Sequence, residues 1–228
     1  MSTAYFITGT DTGVGKTRTG TAIAYGLAQR GLDVRVRKPA ESGCPCVDGL
    51  LMPQDADALR RAAGSREPLD QVCRVRLRTP VSPERAALQE GVALSLDLLR
   101  EACRAPGGEV VLVEGAGGFL SPVAPSALNA DLASALGHPV VLVAADRLGT
   151  INHALLTLEA IARRGLQVAG IVLSRPQADV DPAMDNAADL ARWSGHPVHV
   201  LPHGRVGDAP GWEADARHLD ALIDRLAR

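Results

Sequence analysis

Short apolar runs alternate with helical patterns from one end of the chain to the other. The runs lie at 4–8, 33–37, 110–114, 140–145 and 168–174, with a weaker one at 198–201. Most are nearly continuous in Val, Leu, Ile and Ala, without polar alternation. That pattern predicts parallel strands covered on both faces. Helical spacing of apolar positions predicts helices at 16–30, 56–63, 94–105, 127–136, 151–164, 181–194 and 214–226. Strand–helix alternation of this kind predicts a single-domain doubly wound α/β fold over 1–228, with a mostly parallel sheet and helices on both faces. No internal repeat, low-complexity tract or linker interrupts it. The least regular stretch is 41–82, rich in Gly, Pro and Cys, expected as a long loop with one helix at the edge of the site.

In such sheets ligands gather at the carboxyl ends of the strands. The segments with chemistry fall there: 9–17, 38–43, 114–118, 146–153, 174–176 and 202–204. The strongest is GTDTGVGKT at 9–17, between a strand and a helix. Its glycines let backbone N–H groups turn inward on phosphate oxygens, and the helix N-terminus favours the same anion. Gly13, Val14, Gly15, Lys16 and Thr17 form the cradle. Lys16 is placed on the β/γ-phosphates and the Thr17 hydroxyl on Mg²⁺. Position 18, an arginine, is left without a role. The motif departs from the usual spacing, with Thr10 where the first glycine is expected and Gly9 just upstream. A plain strand–turn–helix is the competing reading.

KPAESG at 38–43 places a lysine at the end of the second strand. Lys38 can neutralise a carboxylate, carbamate or phosphate, and Ser42 with the Gly43 N–H can assist as dipoles. Glu114 ends the third strand, where an acid points at the Mg²⁺ region, and the glycines after it, Gly117 among them, admit a ligand closely. Asp55 or Asp57 could add a metal oxygen, or simply cap the helix that follows. LGTINH at 148–153 opens a later helix. Leu148, Gly149 and Asn152 with Thr150 could take an anionic substrate tail, or Thr150 could be a plain cap. His153 reads as a packed helical histidine rather than a base.

Composition narrows the function class. The 228 residues are 46% hydrophobic and carry a formal net charge of −2. No global field draws such a chain to nucleic acid or anionic lipid. Six aromatic residues are too few for a base-stacking platform. No apolar run reaches the ~18 residues of a membrane span, and the N-terminus reads as a strand rather than a signal peptide. Cys44, Cys46, Cys73 and Cys103 form no CxxC pair, so reduced thiols in a cytoplasm are expected, and the Cys44–Cys46 pair gets no function. Of the 24 basic residues, all but two are arginine. The two lysines are Lys16 and Lys38, both at strand ends facing one site. A compact ammonium fits between oxygens where a planar guanidinium does not.

These stretches together resemble the dethiobiotin synthetase family. The carriers are GTDTGVGKT (9–17), KPAESG (38–43), Asp55-Ala56 with Leu59, PVSPERAALQEG (80–91), VEGAGG (113–118) and LGTINHALLTLE (148–159). The resemblance runs from residue 4 to about 176, with a weaker tail. It implies a P-loop NTPase fold and a homodimer with the substrate-binding helix start near the subunit interface. It implies Mg²⁺ and ATP, with other nucleoside triphosphates left open. The implied reaction closes 7,8-diaminopelargonate with CO₂ to dethiobiotin, the penultimate step of biotin synthesis. Thr17, Asp55 and Glu114 are implied as Mg²⁺ ligands. Lys38, Thr12 and Ser42 would hold a carbamate and its phosphorylated form; Leu148, Gly149 and Asn152 would receive the distant carboxylate; Ser174, Pro202 and His203 would meet the base.

Two positions depart from the pattern. Glu84 stands where the family often has His. Ser174 ends the fifth strand where many members have Asn; a hydroxyl offers less than a carboxamide, so weaker base discrimination is expected. Two rival readings are weaker. A corrin-precursor amidotransferase would need a glutaminase domain for which 228 residues leave no room. A switch ATPase of the cell-division or plasmid-partition type would carry a lysine where Asp11 stands.

Overall fold

The computed structural model describes residues 3–175, 183–204 and 207–228. Six strands form one parallel sheet: β1 (Thr3–Gly9), β2 (Val34–Arg37), β3 (Val110–Gly118), β4 (Val140–Ala145), β5 (Val168–Ser174) and β6 (Val198–Leu201), in the order β6-β5-β4-β1-β3-β2. Phe6 pairs with Val140 on one side and Val113 on the other, which places β1 at the centre. The chain turns from β1 to one half of the sheet through β2 and β3, and returns to the other through β4. The switch point therefore lies beside the carboxyl end of β1, where such sheets bind ligands.

The near-continuous apolar runs are explained by burial on both faces. Tyr5 and Ile7 pack one way, with Ala22, Ile23 and Leu27 of helix α1 (Lys16–Gln29) and Leu59 of α2 (Gln54–Ala62). Phe6, Val111 and Val113 pack the other way. Their neighbours are Ala86 of α3 (Pro83–Glu90), Leu99 of α4 (Leu96–Ala102) and Leu132 of α5 (Asn129–Leu136). Helices α6 (Thr150–Arg163) and α7 (Asn186–Ser194) cover β4 and β5 around Leu173. The chain closes with α8 (Ala209–His218) and α9 (Asp220–Leu226), whose Trp212 and Ile223 seal the α1 face.

Several expected boundaries move. The predicted helix at 214–226 is two helices, broken at Leu219. The one predicted at 127–136 begins at Asn129, because residues 127–128 pair with 122–124 as a small hairpin. The 94–105 helix contracts to α4, and α3 was not foreseen. The predicted helix at 181–194 begins at residues 181–182, outside the described residues; from Asn186 it is α7. The segment 41–82 is more ordered than expected of a loop. It holds α2, a one-turn helix at Leu69–Val72, a hairpin of Cys46–Val47 with Leu50–Leu51, and a parallel pair of Ala40–Ser42 with Val75–Leu77. Such two- and three-residue strands are too short to leave a periodic signal. Among the described residues, no helix is long and apolar enough to cross a membrane.

Candidate active site

The loop between β1 and α1 ends on Gly15, the N-cap of α1, at φ +95°. A Cβ there would stand 2.4 Å from the Ser174 Oγ at the end of β5. Only glycine fits, for both reasons. The orphan N–H groups of α1 are thus left facing the space above β1, where an anion would satisfy them. Val14 is buried beneath the loop.

Lys16 is 7% exposed, and its Nζ donates to the Asp11 carbonyl at 2.9 Å. Burial, with help from Lys38, pushes its pKa down to about 8 against the pull of Glu114, Asp55 and Asp11. One residue on, the Thr17 hydroxyl donates to Glu114 Oε1 at 2.8 Å. Lys38 leaves the end of β2, 4% exposed, and its Nζ donates to the same Oε1 at 2.5 Å and to Asp55 Oδ2 at 3.0 Å. Burial works against the Lys38 charge, but Glu114 and Asp55 outweigh it and hold the ammonium above the ordinary lysine range. Burial likewise works against the Asp55 carboxylate; Lys38, with the Thr17 hydroxyl and Lys16, reverses that and lowers its pKa. Glu114 is 1% exposed on the floor of the site. Its Oε2 has no hydrogen-bond partner and lies over Gly20 of α1, where a Cβ would come within 3.2 Å.

A cavity of about 320 Å³ opens over these groups. Thr12, Gly13, Gly15, Lys16 and Thr17 line one side, Lys38, Ser42 and Asp55 another, and Gly117 the rim. The Ser42 hydroxyl donates to the Val81 carbonyl at 2.6 Å, tying the rim to the segment before α3. Lys16, Thr17, Lys38 and Asp55 thus meet in one pocket, and Glu114 lies beneath it, bonded to Thr17 and Lys38 without lining the cavity itself. Of Asp55 and Asp57, only Asp55 lines the cavity. Asp55 faces Lys38, whereas Asp57 pairs with Arg60 at 2.7 Å and Arg61 at 2.9 Å.

Other named residues lie elsewhere. Leu148 is 87% exposed, Asn152 is exposed and Gly149 caps α6; none lines this cavity. Thr150 is buried in the first turn of α6 rather than its cap. His153 is exposed on α6, not packed, because its helical phase turns it outward. Ser174 is 1% exposed with its Oγ pressed on Gly15, so it lies beneath the phosphate loop rather than at an open base pocket. Pro202 is half-buried and His203 exposed beyond β6, outside this cavity, and Pro176 lies outside the described residues. The cavity also takes in Arg18 and Glu41, to which sequence reasoning gave no role. The Arg18 fork grips Asp215 of α8 at 2.7 and 2.6 Å. Glu41 is 6% exposed; burial, and then Asp55, push its pKa up to about 7, against Lys38 and two backbone N–H donors. The one available signal for Glu41 was its place inside the KPAESG stretch.

Among the described residues no cluster of three or more His, Cys, Asp or Glu stands ready to enclose a metal unaided. Mg²⁺ takes one or two carboxylates and completes its shell with phosphate oxygens and water. The Thr17 hydroxyl and the Asp55 carboxylate, which line the cavity, and Glu114 Oε1, which meets Thr17 and Lys38 beneath it, are hard oxygen donors of the right kind; Glu114 Oε2 is turned toward Gly20, away from the cavity.

The chain matches the protein family described as AAA domain over residues 3–205. It is 44% identical over 227 residues to a protein of Anaeromyxobacter dehalogenans (strain 2CP-C) named ATP-dependent dethiobiotin synthetase BioD; the match covers 97% of this chain and 96% of the relative. A protein of the same name from Anaeromyxobacter sp. (strain K) is 43% identical over 226 residues, covering 96% of each. Among solved structures it is similar to the septum site-determining protein MinD of Pyrococcus horikoshii OT3, complexed with Mg-ADP (TM-score 0.60, 18% identity, 100% of this chain and 95% of that one). It is similar also to a ParA family ATPase from Chlorobium tepidum TLS (TM-score 0.55, 14% identity, 100% and 98%). At those identities the structural likeness speaks for the fold alone.

Proposed function

The chain belongs to the ATP-dependent dethiobiotin synthetases, ligases of biotin biosynthesis, and from that premise we propose how its residues divide the reaction. One amine of 7,8-diaminopelargonate traps CO₂ as a carbamate. A carbamate oxygen attacks the γ-phosphorus of ATP, ADP leaves, and a carbamic–phosphoric anhydride forms. The second amine then attacks the carbonyl carbon, closes the ureido ring and expels phosphate. None of these steps needs a protein nucleophile; positioning and charge neutralisation suffice.

Lys16 and the N–H groups of Gly13, Val14 and Gly15 hold the β- and γ-phosphates. Lys38, with Thr12 and Ser42, holds the carbamate and its phosphorylated form, and Gly117 lets the substrate approach. Thr17, Asp55 and Glu114 are the residues that would hold Mg²⁺. When bound, Mg²⁺ supplies positive charge to the oxygens of the transferring phosphoryl group. Leu148, Gly149 and Asn152 lie outside the phosphate cavity, and the proposal gives them the far carboxylate, across a homodimer interface. The proposed setting is a cytoplasm, with no nucleic-acid or membrane partner.

One observation carries this reading: Lys16 and Lys38, the chain's two lysines, are both buried and converge on one cavity with Thr17 and Asp55, with Glu114 bonded to Lys38 beneath it. Purified protein with diaminopelargonate, bicarbonate and Mg-ATP is expected to yield dethiobiotin, detected by mass. Lys38→Ala should retain ADP binding and lose product. Dethiobiotin formation at the wild-type rate by Lys38→Ala would overturn the assignment of Lys38.

A further inference from the structure

Glu41 is a buried acid in the cavity wall for which the proposed reaction has no use. Its surroundings show what it holds. Helix α2, which carries Asp55, has Pro53 as its N-cap, and no side chain of its own caps it. Its first N–H groups would be orphans in a half-buried place. Instead, Glu41 Oε1 accepts from the Asp55 N–H and Oε2 from the Ala56 N–H, each at 3.0 Å. Two acceptors on one rigid carboxylate fix both the position and the rotation of the helix start. The residues between are a loop and the 46–51 hairpin, so the covalent path does not set this distance. Glu41 itself is anchored, because its strand pairs with the one at Val75–Leu77, Glu41 opposite Arg76.

We propose that Glu41 is the positioning residue of the metal site: it sets the start of α2 so that Asp55 is presented to the cavity beside Lys38 and Glu114. The inference rests on the assignment of Asp55 as a metal ligand. Lys38 and Glu41, three residues apart, then hold Asp55 from two sides, one by its carboxylate and the other by its backbone. Partners of this kind around a ligand commonly carry about 10–100-fold of metal affinity.

The experiment reads Mn²⁺ binding to the full-length protein with ADP, by electron paramagnetic resonance, as a stand-in for Mg²⁺. ADP affinity in EDTA is read separately. Glu41→Ala is expected to weaken Mn²⁺ at least about tenfold while ADP affinity in EDTA stays within about twofold. A smaller loss of Mn²⁺ affinity, whatever the melting temperature does, would overturn the proposal and reduce Glu41 to an ordinary helix cap. Asp55→Asn separates the two layers. If it binds Mn²⁺ like the wild type, the ligand assignment fails and this inference with it. If it loses Mn²⁺ and Glu41→Ala does not, only this inference fails. Glu41→Gln, which keeps one acceptor, guards against a folding defect. It should lose Mn²⁺ affinity in the wild-type background and none beside Asp55→Asn; an equal loss in both backgrounds overturns the proposal.

Discussion

Removing the Lys38 ammonium should destabilise the protein far more than removing it together with Glu114. The two groups meet at 2.5 Å, 5% and 1% exposed. At an effective dielectric of about 20 their attraction is about 7 kcal/mol. Taking both charges out of water costs several kcal/mol each, so the pair as a whole is close to neutral. The asymmetry lies in breaking it. Lys38→Met strands a carboxylate on the floor of the site, at a cost of about 3–5 kcal/mol. In a chain of this length that lowers the melting temperature by roughly 6–20 °C. Lys38→Met with Glu114→Gln removes both charges and should return to within about 1 kcal/mol of the wild type. Urea unfolding followed by far-ultraviolet circular dichroism, without nucleotide or metal, measures all three proteins. If Lys38→Met unfolds within about 1 kcal/mol of the wild type, or the double variant is no more stable than the single, the buried-pair account of this site is refuted.

Three further outcomes are expected. Lys16→Arg should abolish turnover, because a planar fork cannot replace a compact ammonium inside the phosphate loop; near-normal steady-state rates would contradict that. Nucleotide binding should depend on Lys16 ionisation: with its pKa lowered to about 8 in the free protein, ADP affinity in EDTA should be flat below pH 8. Above it, affinity should weaken about tenfold per pH unit as the charge is lost; affinity unchanged from pH 7 to 9.5 would refute the link. The stability of the apo protein should follow the opposite trend. The unfolded chain binds the Lys16 proton more tightly than the folded one, so its burial penalty is present below pH 8 and relieved as pH rises from there toward the unfolded value. Base discrimination should be weak, because Ser174 is sealed under Gly15. Comparing ATP, CTP and GTP at equal Mg²⁺, a preference for ATP above about 100-fold, roughly 2.7 kcal/mol, would show that another group reads the base.

The sequence by itself determined the layers and the phosphate loop. Short continuous apolar runs rich in Val, alternating with helical patterns, point to doubly covered strands, and GTDTGVGKT between a strand and a helix has few other uses. It also singled out Lys16 and Lys38, because their rarity in an arginine-rich chain is a compositional fact. The order β6-β5-β4-β1-β3-β2 was beyond it, since pairing is a long-range choice that no local period encodes. Only the tertiary structure told Asp55 from Asp57: they are two residues apart with the same chemistry, and helical phase alone turns one to Lys38 and the other to Arg60 and Arg61. It also moved Ser174 from an open strand end to the underside of Gly15, a contact between residues 159 positions apart. Glu41 is the clearest case. Its side chain holds two backbone N–H groups fourteen and fifteen residues away, and backbone donors leave no letter in the sequence.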